Sequence, residues 1–410
     1  MTSFPHGRRR TVASSAAGSS VANHQPTEAF QVPPYPYDQL DKAKELARSH
    51  PGGMVDLSIG TPADPVPQVV LDALAQGTGV AGYPPSAGTV AFKEAASGWL
   101  QRRFRLDYRP ELAACVGSKE FVASTPAWMH LARPDRDVVL YPEVSYPTYE
   151  MGALLARCRP VAVPCRADGT MDLAAIDPED ARSALLLWCN SPSNPTGALD
   201  DLARLAEWGR QHSVLVASDE CYADYTWEGE PRSILESGSE GVLALHSLSK
   251  RSNMAGLRVG FYAGDHDTVR HLSEVRKHAG LMVPAPAQAA AAAALGDEDH
   301  VLVQRSRYRE RLEMLSQALE ALGFEAPLPE GTFYLWVRWP AGALPRVGRG
   351  HDADSSQRLS GWQVAEWFAA TAGALVSPGE LYGDSDGHVR IAVVRPTEQV
   401  AEVVQRLKVL

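Results

Sequence analysis

From about residue 86 onward, short apolar runs alternate with stretches whose apolar positions recur every three to four residues. The runs are LAACVG (112–117), DVVLYP (137–142), PVAVP (160–164), SALLLWCN (183–190), SVLVASDE (213–220), GVLALHS (241–247) and RVGFYAG (258–264). Several are nearly uninterrupted Val, Leu and Ala, the texture of strands covered on both faces by helices. Helical patterns such as residues 199–211 lie between them. Alternation of this kind predicts a doubly wound α/β domain with a large, mostly parallel seven-stranded sheet. Ligands of such sheets bind outside the carboxyl ends of the strands, so chemistry is sought in the polar residues that close each run.

The flanking sequence reads differently. In VPPYPYDQLDKAKELARSHPGG (32–53), Leu40, Ala43, Leu46 and Ala47 share a helical face, Asp38 is the expected N-cap, and Pro51 ends the turn. MVDLSIGTPADPVP (54–67) predicts a short strand running into a Gly/Pro-rich connection. After residue 284 an alanine-rich helix (286–295) leads to a long charged helix, GTFYLWVRW (331–339) alternates as a strand, and residues 341–361 form a Gly- and charge-rich loop expected to be mobile. A further helix, a strand at HVRIAVV (388–394) and an amphipathic closing helix complete a smaller α+β domain. The expected division is a disordered tail over 1–29, a small domain from 30–60 and 296–410, and a large domain over 61–295. There is no internal repeat.

Composition narrows the function. An apolar content of 45% with 8% aromatics is that of an ordinary globular protein. A net charge of −10 argues against nucleic acid as the main partner. Five cysteines (Cys115, Cys158, Cys165, Cys189, Cys221) form no CxxC pair and sit mostly in apolar runs. They read as reduced thiols of a cytoplasmic protein, with no metal site expected. No apolar run is long enough to span a membrane. Arg8, Arg9 and Arg10 echo a twin-arginine signal, but no apolar segment follows them and export is not expected.

Four motifs stand at run ends: NSPSNPTG (190–197), SDECYADY (218–225), SLSK (247–250) and GLRVG (256–260). Taken singly, each has an ordinary reading: a turn, a cap, a solvated lysine, a glycine-bracketed loop. In this order and spacing, from about residue 35 to the end of the chain, they resemble the fold-type I, pyridoxal-phosphate-dependent aminotransferases of the aspartate class. The resemblance implies pyridoxal 5′-phosphate as cofactor, amino-acid and 2-oxo-acid substrates, and a homodimer with shared active sites.

The chemistry accounts for the residue types. Transamination needs a lysine of lowered pKa that forms an imine with the cofactor and then moves a proton from the substrate's α-carbon, and Lys250 matches the family's lysine. Asp219, closing VLVASD, matches the carboxylate that keeps the pyridine nitrogen protonated. Tyr222 and Asn194 match the residues that hydrogen-bond the ring's phenolic oxygen. The resemblance thus makes Lys250, Asp219 and Tyr222 catalytic. Arg258, Ser247 and Ser249 match phosphate contacts, and Gly117, Ser118 and Lys119, where VGSKE ends a strand and opens a helix, offer backbone N–H groups to the same dianion. Tyr146 matches the aromatic stacked on the ring, with Tyr149 as the other candidate. Tyr83 resembles the tyrosine that reaches the neighbouring subunit's phosphate. Arg390 in HVRIAVV matches the arginine that takes the substrate's α-carboxylate as a bidentate partner, and Gly60 lets the backbone approach that group. His246 and His278 read as structural or supporting residues.

Within the family, SLSKRSNMAGLRVGF, NSPSNPTG, GSKE and RKHAGLMVPAPAQAA look most like the actinobacterial-type N-succinyldiaminopimelate aminotransferases of lysine and cell-wall biosynthesis. That likeness implies glutamate as donor and a long, multiply anionic acceptor. The aspartate-type reader of a distal carboxylate falls near Ala279, so Lys277, His278, Arg346 or Arg349 is the expected substitute. Two other readings keep the motifs: an aminotransferase for another amino acid, such as aspartate or alanine, and a C–S β-lyase. A transcriptional regulator on the same scaffold is not expected, since only about 30 residues precede it and the chain is acidic.

Overall fold

In the computed structural model, which describes residues 30–77, 81–339 and 359–409, every apolar run forms a strand. In chain order the strands are β1 (Val55–Asp56), β2 (Glu111–Cys115), β3 (Val138–Pro142), β4 (Arg159–Val163), β5 (Ala184–Asn190), β6 (Leu215–Asp219), β7 (Val242–Ser247), β8 (Gly260–Gly264), β9 (Tyr334–Arg338), β10 (Ala374–Leu375), β11 (Ser377–Pro378) and β12 (His388–Ala392). The chain divides into Met1–Tyr35 and Pro36–Leu410. Residues 30–35 of the first have no regular secondary structure; the fold that follows is that of the second.

A seven-stranded sheet runs in the order β2-β8-β7-β6-β5-β3-β4. It is parallel from β4 through β7, and only β8 runs against its neighbours β7 and β2. The uninterrupted apolar runs are explained by a core on each face. In β7, Val242 and Ala244 join one core and Leu243 and Leu245 the other; in β2, Leu112 and Ala114 oppose Ala113 and Cys115. The alternation slips once. Leu185 and Leu186 of β5 face the same side because a bulge sets Val138 opposite Ala184 but Val139 opposite Leu186.

A further core lies around the long helix Asp299–Ala321, whose Tyr308, Leu312, Leu315 and Leu319 recur at helical spacing. Against it pack β9, helix Gly361–Ala372 and helix Thr397–Lys408, with Val55 and Leu57 from the start of the ordered chain. β11, β12 and β9 form an antiparallel sheet, and β1 pairs in parallel with β10. Tyr222 and Tyr225, just beyond β6, insert into this core. The residues that follow a strand of the large sheet are thereby pinned by the smaller one. Among the described residues, no helix is long and apolar enough to cross a membrane.

Three expectations are corrected. Asp38 is not the cap of the first helix: a 3₁₀ turn covers Pro36–Leu40, the helix starts at Asp41, and Leu40 occupies the N-cap without a side-chain bond. Tyr37 and Leu40 of that turn are buried, which leaves Asp38 on the exposed side. The helix expected over 199–211 begins at Leu202, capped by Asp201, whose carboxylate accepts the Arg204 N–H at 3.0 Å. Asp200 is turned away and accepts the Met171 N–H at 3.0 Å. The strand expected in MVDLSIG is confined to Val55–Asp56. The expected tail (1–29) lies outside the described residues, as does most of the expected 341–361 loop; its end, Ser360, caps helix Gly361–Ala372 in a capping box with Gln363.

Candidate active site

Strand register gathers the polar run ends. Asn190, closing β5, is paired with Asp219, closing β6, and Asp219 with Leu245 of β7; Ser247 and Cys115 both sit opposite Gly260. Four of the expected segments thus emerge side by side at one end of the large sheet.

Lys250 is carried by a short helix, Leu248–Arg251, that follows β7 directly; Ser247 caps it by accepting the Ser249 N–H at 3.2 Å. The helix is clamped on both sides of the lysine. The Tyr225 hydroxyl donates to the Lys250 carbonyl at 2.8 Å. Arg251, 3% exposed, pairs with Asp224 at 3.0 Å and Glu298 at 2.9 Å and donates to the Ala294 carbonyl at 2.7 Å. The Lys250 amine donates to the Gly60 carbonyl. Burial is the largest influence and brings the amine down to about 8; Cys221 and Asp219 oppose it, and the positive charges of Arg390 and Arg258 reinforce it.

Asp219 is 5% exposed and accepts the Tyr149 hydroxyl at 3.1 Å and the Cys221 N–H at 3.3 Å. Burial raises its carboxyl above the ordinary range, opposed by those hydrogen bonds and by Lys250. Among the described residues no cationic side chain lies within ion-pair distance of it. Tyr149 stacks on Trp188 with centroids 5.5 Å apart and is fully buried, so both its ring and its hydroxyl are committed. Of the two candidate stacking rings, Tyr146 is the half-buried one, edge-on to Tyr149 at 6.1 Å.

Arg390 is 1% exposed and faces the same region from β12. It donates to the Asn194 side chain at 2.8 Å and to the Ser58 carbonyl at 2.5 Å, while its Nε has no partner among the described residues. No carboxylate pairs with it there; instead its guanidinium lies over the rings of Tyr334 (4.2 Å) and Tyr382 (4.6 Å). Asn194 is oriented in turn by Asn190, whose side chain accepts the Asn194 N–H and donates to the Asp219 carbonyl, both at 2.7 Å. Tyr222 is buried, with its hydroxyl 2.9 Å from that of Tyr334, and burial holds it well above the ordinary phenol range.

At the other edge, Gly117 caps helix Ser118–Ala132 with a φ of 78°. That positive φ favours glycine, and a Cβ there would also displace the Arg258 guanidinium. Arg258 is exposed and itself left-handed at a φ of 53°, donating to the carbonyls of Ala255 (2.9 Å) and Val116 (3.4 Å). Its guanidinium therefore stands beside the fifteen-residue helix's free N–H groups. Ser247 and Ser249 are buried next to Lys250, and Lys119 is exposed on the first turn of that helix.

The structure does not bring every expected residue into this group. Tyr83 is 96% exposed. Lys277 and His278 are exposed at the end of helix His266–His278, Lys277 paired with Glu274 at 3.7 Å. Arg346 and Arg349 lie outside the described residues. His246 is buried 3.4 Å from Glu220 among Trp99, Phe104 and Phe261, and burial lowers it to about 3, in keeping with a structural reading. Residues missed in the sequence are Asn190, Tyr334, Tyr382, Tyr149 as the Asp219 partner, and the Tyr225–Arg251 clamp. Asn190 could have been found as the first residue of NSPSNPTG; the tyrosines carried no signal, being scattered over some 230 positions.

The donor set suits the expected cofactor. A buried carboxylate with no counter-cation among the described residues complements a protonated ring nitrogen, Arg258 and a helix N-terminus complement a phosphate, and an amine of lowered pKa complements an aldehyde.

Comparison with known proteins agrees. The sequence matches the aminotransferase class I and II family over residues 52–407. It is 42% identical to a probable aminotransferase of Mycobacterium tuberculosis, over 92% of this chain and 85% of that one. It is 39% identical to the 4-dedimethylamino-4-oxo-anhydrotetracycline transaminase OxyQ of Streptomyces rimosus, over 92% and 99%. An LL-diaminopimelate aminotransferase of Desulforudis audaxviator is 34% identical over 92% and 95%. Among solved structures, a probable N-succinyldiaminopimelate aminotransferase of Thermus thermophilus superposes with a TM-score of 0.78 at 33% identity, covering 91% of this chain and 99% of that one.

Proposed function

Because the chain belongs to the class I and II aminotransferases, which depend on pyridoxal phosphate, we propose that it moves an amino group between glutamate and N-succinyl-2-amino-6-ketopimelate, in diaminopimelate and lysine formation. The observation that carries amino-acid transamination is a charge arrangement. Among the described residues, a buried cation at Arg390 and a buried carboxylate at Asp219 both lack an ion-pair partner, with the lowered amine of Lys250 coupled to both. Buried charges persist when something pairs with them, here the substrate carboxylate and the ring nitrogen.

When bound, pyridoxal phosphate supplies an aldehyde that takes up amines and a ring that withdraws electrons from the substrate's α-carbon. In this reading Asp219 holds the proton of the ring nitrogen, and Tyr149 and the Cys221 N–H hold Asp219. Tyr222 donates to the ring's phenolic oxygen and Asn194 stands beside it, aligned by Asn190. Arg258, Ser247, Ser249 and the N–H groups of Gly117, Ser118 and Lys119 hold the phosphate, Tyr146 covers the ring face, and Tyr83 of a second copy completes the phosphate site in a homodimer. Arg390 takes the α-carboxylate through the two N–H groups now given to Asn194 and Ser58. Gly60 leaves its carbonyl free to orient the Lys250 amine, which then carries a proton from the α-carbon.

Reaction of Lys250 with the cofactor requires the unprotonated amine. The rate at which the apoprotein takes up pyridoxal phosphate, followed by visible absorbance, is therefore expected to rise with pH and level off above a midpoint near 8. A free lysine would keep gaining until about pH 10.4. A rate that climbs past pH 10 would show that the site does not lower this amine.

The likeness to the Thermus thermophilus enzyme supports the succinylated substrate, and the LL-diaminopimelate enzymes support the same pathway with an unmodified one. OxyQ supports a second reading, in which the acceptor is the ketone of a fused-ring carbocycle and Arg390 serves only the amino donor. Glutamate consumption is to be measured with the succinylated ketone, with the unmodified one in its cyclic form, and with aspartate, alanine and cystathionine as competing substrates. Selective turnover of the succinylated ketone is expected. Preference for the unmodified compound, or pyruvate and ammonia from cystathionine, would remove the assignment and leave the scaffold chemistry standing.

A further inference from the structure

Tyr334, which no motif singles out, touches Tyr222, Arg390 and Gly60 at once. It lies in β9 opposite Ala392, with Arg390 opposite Trp336, so Tyr334, Trp336 and Arg390 share one face of the small sheet. Its hydroxyl is 2.9 Å from that of Tyr222 and its ring centroid is 4.2 Å from the Arg390 guanidinium carbon. The backbone is shaped around it: a Cβ at Gly60 would overlap the Tyr334 hydroxyl, and Gly60 is the residue whose carbonyl receives the Lys250 amine. Burial leaves both phenols protonated, Tyr334 at about 12, so one hydroxyl must donate to the other. If Tyr222 points its proton at the cofactor, its oxygen is the acceptor and Tyr334 is the donor. A phenol O–H otherwise rotates about its C–O bond, and a second hydroxyl selects one direction.

Resting on the assignment of Tyr222 to the cofactor's ring oxygen, we propose that Tyr334 is a positioning residue for the reaction. Its hydroxyl sets the direction in which Tyr222 donates, and its ring face supports the guanidinium that receives the carboxylate. One side chain thereby aligns the cofactor side and the substrate side of the site. The negative face of the ring also substitutes for the carboxylate that Arg390 lacks, which keeps the guanidinium in place before substrate arrives.

The test uses the loaded protein and glutamate alone. Two readouts are followed in wild type, Tyr334→Phe, Tyr222→Phe, the double variant and Tyr334→Leu: the pH midpoint of the bound cofactor's visible band, and the rate constant and half-saturation for loss of that band with glutamate. Tyr334→Phe removes one hydrogen bond and keeps the ring. It should slow the glutamate step about three- to tenfold with half-saturation nearly unchanged, and move the midpoint in the same direction as Tyr222→Phe by a smaller amount. The double variant should match Tyr222→Phe, since the hydroxyl acts through that residue. Tyr334→Leu should in addition raise the half-saturation several-fold. A wild-type midpoint in Tyr334→Phe, or effects that add to those of Tyr222→Phe, would overturn the proposal. A wild-type midpoint in Tyr222→Phe would overturn it together with the Tyr222 assignment. Failure of the diaminopimelate assignment leaves all of these readouts untouched, because no acceptor enters the experiment.

Discussion

Replacing Lys250 by Ala is expected to abolish attachment of the cofactor to the chain and to lower turnover on the order of 10⁴-fold. In the proposed reaction the side chain has two separable duties, nucleophile and proton carrier, and the second alone contributes about 10²–10⁴ in rate. The amine is coupled by its charge to Arg390, Arg258 and Asp219. Borohydride reduction of the loaded protein checks the first duty. It should fix pyridoxal phosphate to the peptide containing Lys250 in the wild type and leave the variant unlabelled. Cofactor should still bind the variant, more weakly, through the Asp219 and Arg258 sides. Reducible attachment at another lysine, or turnover within tenfold of wild type, would sink the assignment. The fold should be unaffected, because the helix is held through Arg251 and the Lys250 carbonyl, neither of which the substitution touches.

Arg390→Leu should lower kcat/KM for glutamate by about 2–5 kcal/mol, roughly 30- to several-thousand-fold, with the cofactor's absorbance retained. Its effect on stability is expected to be small, which is unusual for a residue 1% exposed. Deleting one partner of a buried ion pair strands the other; here, among the described residues, there is no carboxylate to strand. The variant leaves only the Asn194 side chain and the Ser58 carbonyl short of a donor, against the gain from removing a lone buried charge. Arg390→Lys should fall between, keeping the charge and losing the planar fork. Thermal denaturation alongside glutamate kinetics separates the two effects. A large drop in melting temperature with unchanged kcat/KM would make Arg390 a structural residue.

Much of this was legible before any coordinates. The strands of the large sheet are runs whose two faces are both buried, so they carry an apolar signal that needs no partner to interpret, and the turn at Asn194 and the caps at Ser247 and Gly117 are local. Lys250, Asp219, Asn194 and Tyr222 could be singled out because each closes a strand or lies within four residues of its end, where chain order and spatial order coincide. Asp38 misled because capping propensity says nothing about which side of a turn will be buried; Tyr37 and Leu40 decided that by packing inward.

What the chain by itself determined is therefore the alternation of strand and helix, the end of the sheet where polar groups collect, and the positions of the lysine, carboxylate and arginines to which the proposed chemistry is assigned. What only the tertiary structure decided is which of those charges go unpaired and which tyrosines surround them. Tyr334 and Tyr382 reach Arg390 across the pairing of β9 with β12 and the turn after β11, and Tyr149, in the helix after β3, reaches Asp219 at the end of β6. Contacts between residues so far apart in sequence leave no periodic trace. They depend on register and crossing of separate elements, which the packing of two cores sets, and no local preference encodes them.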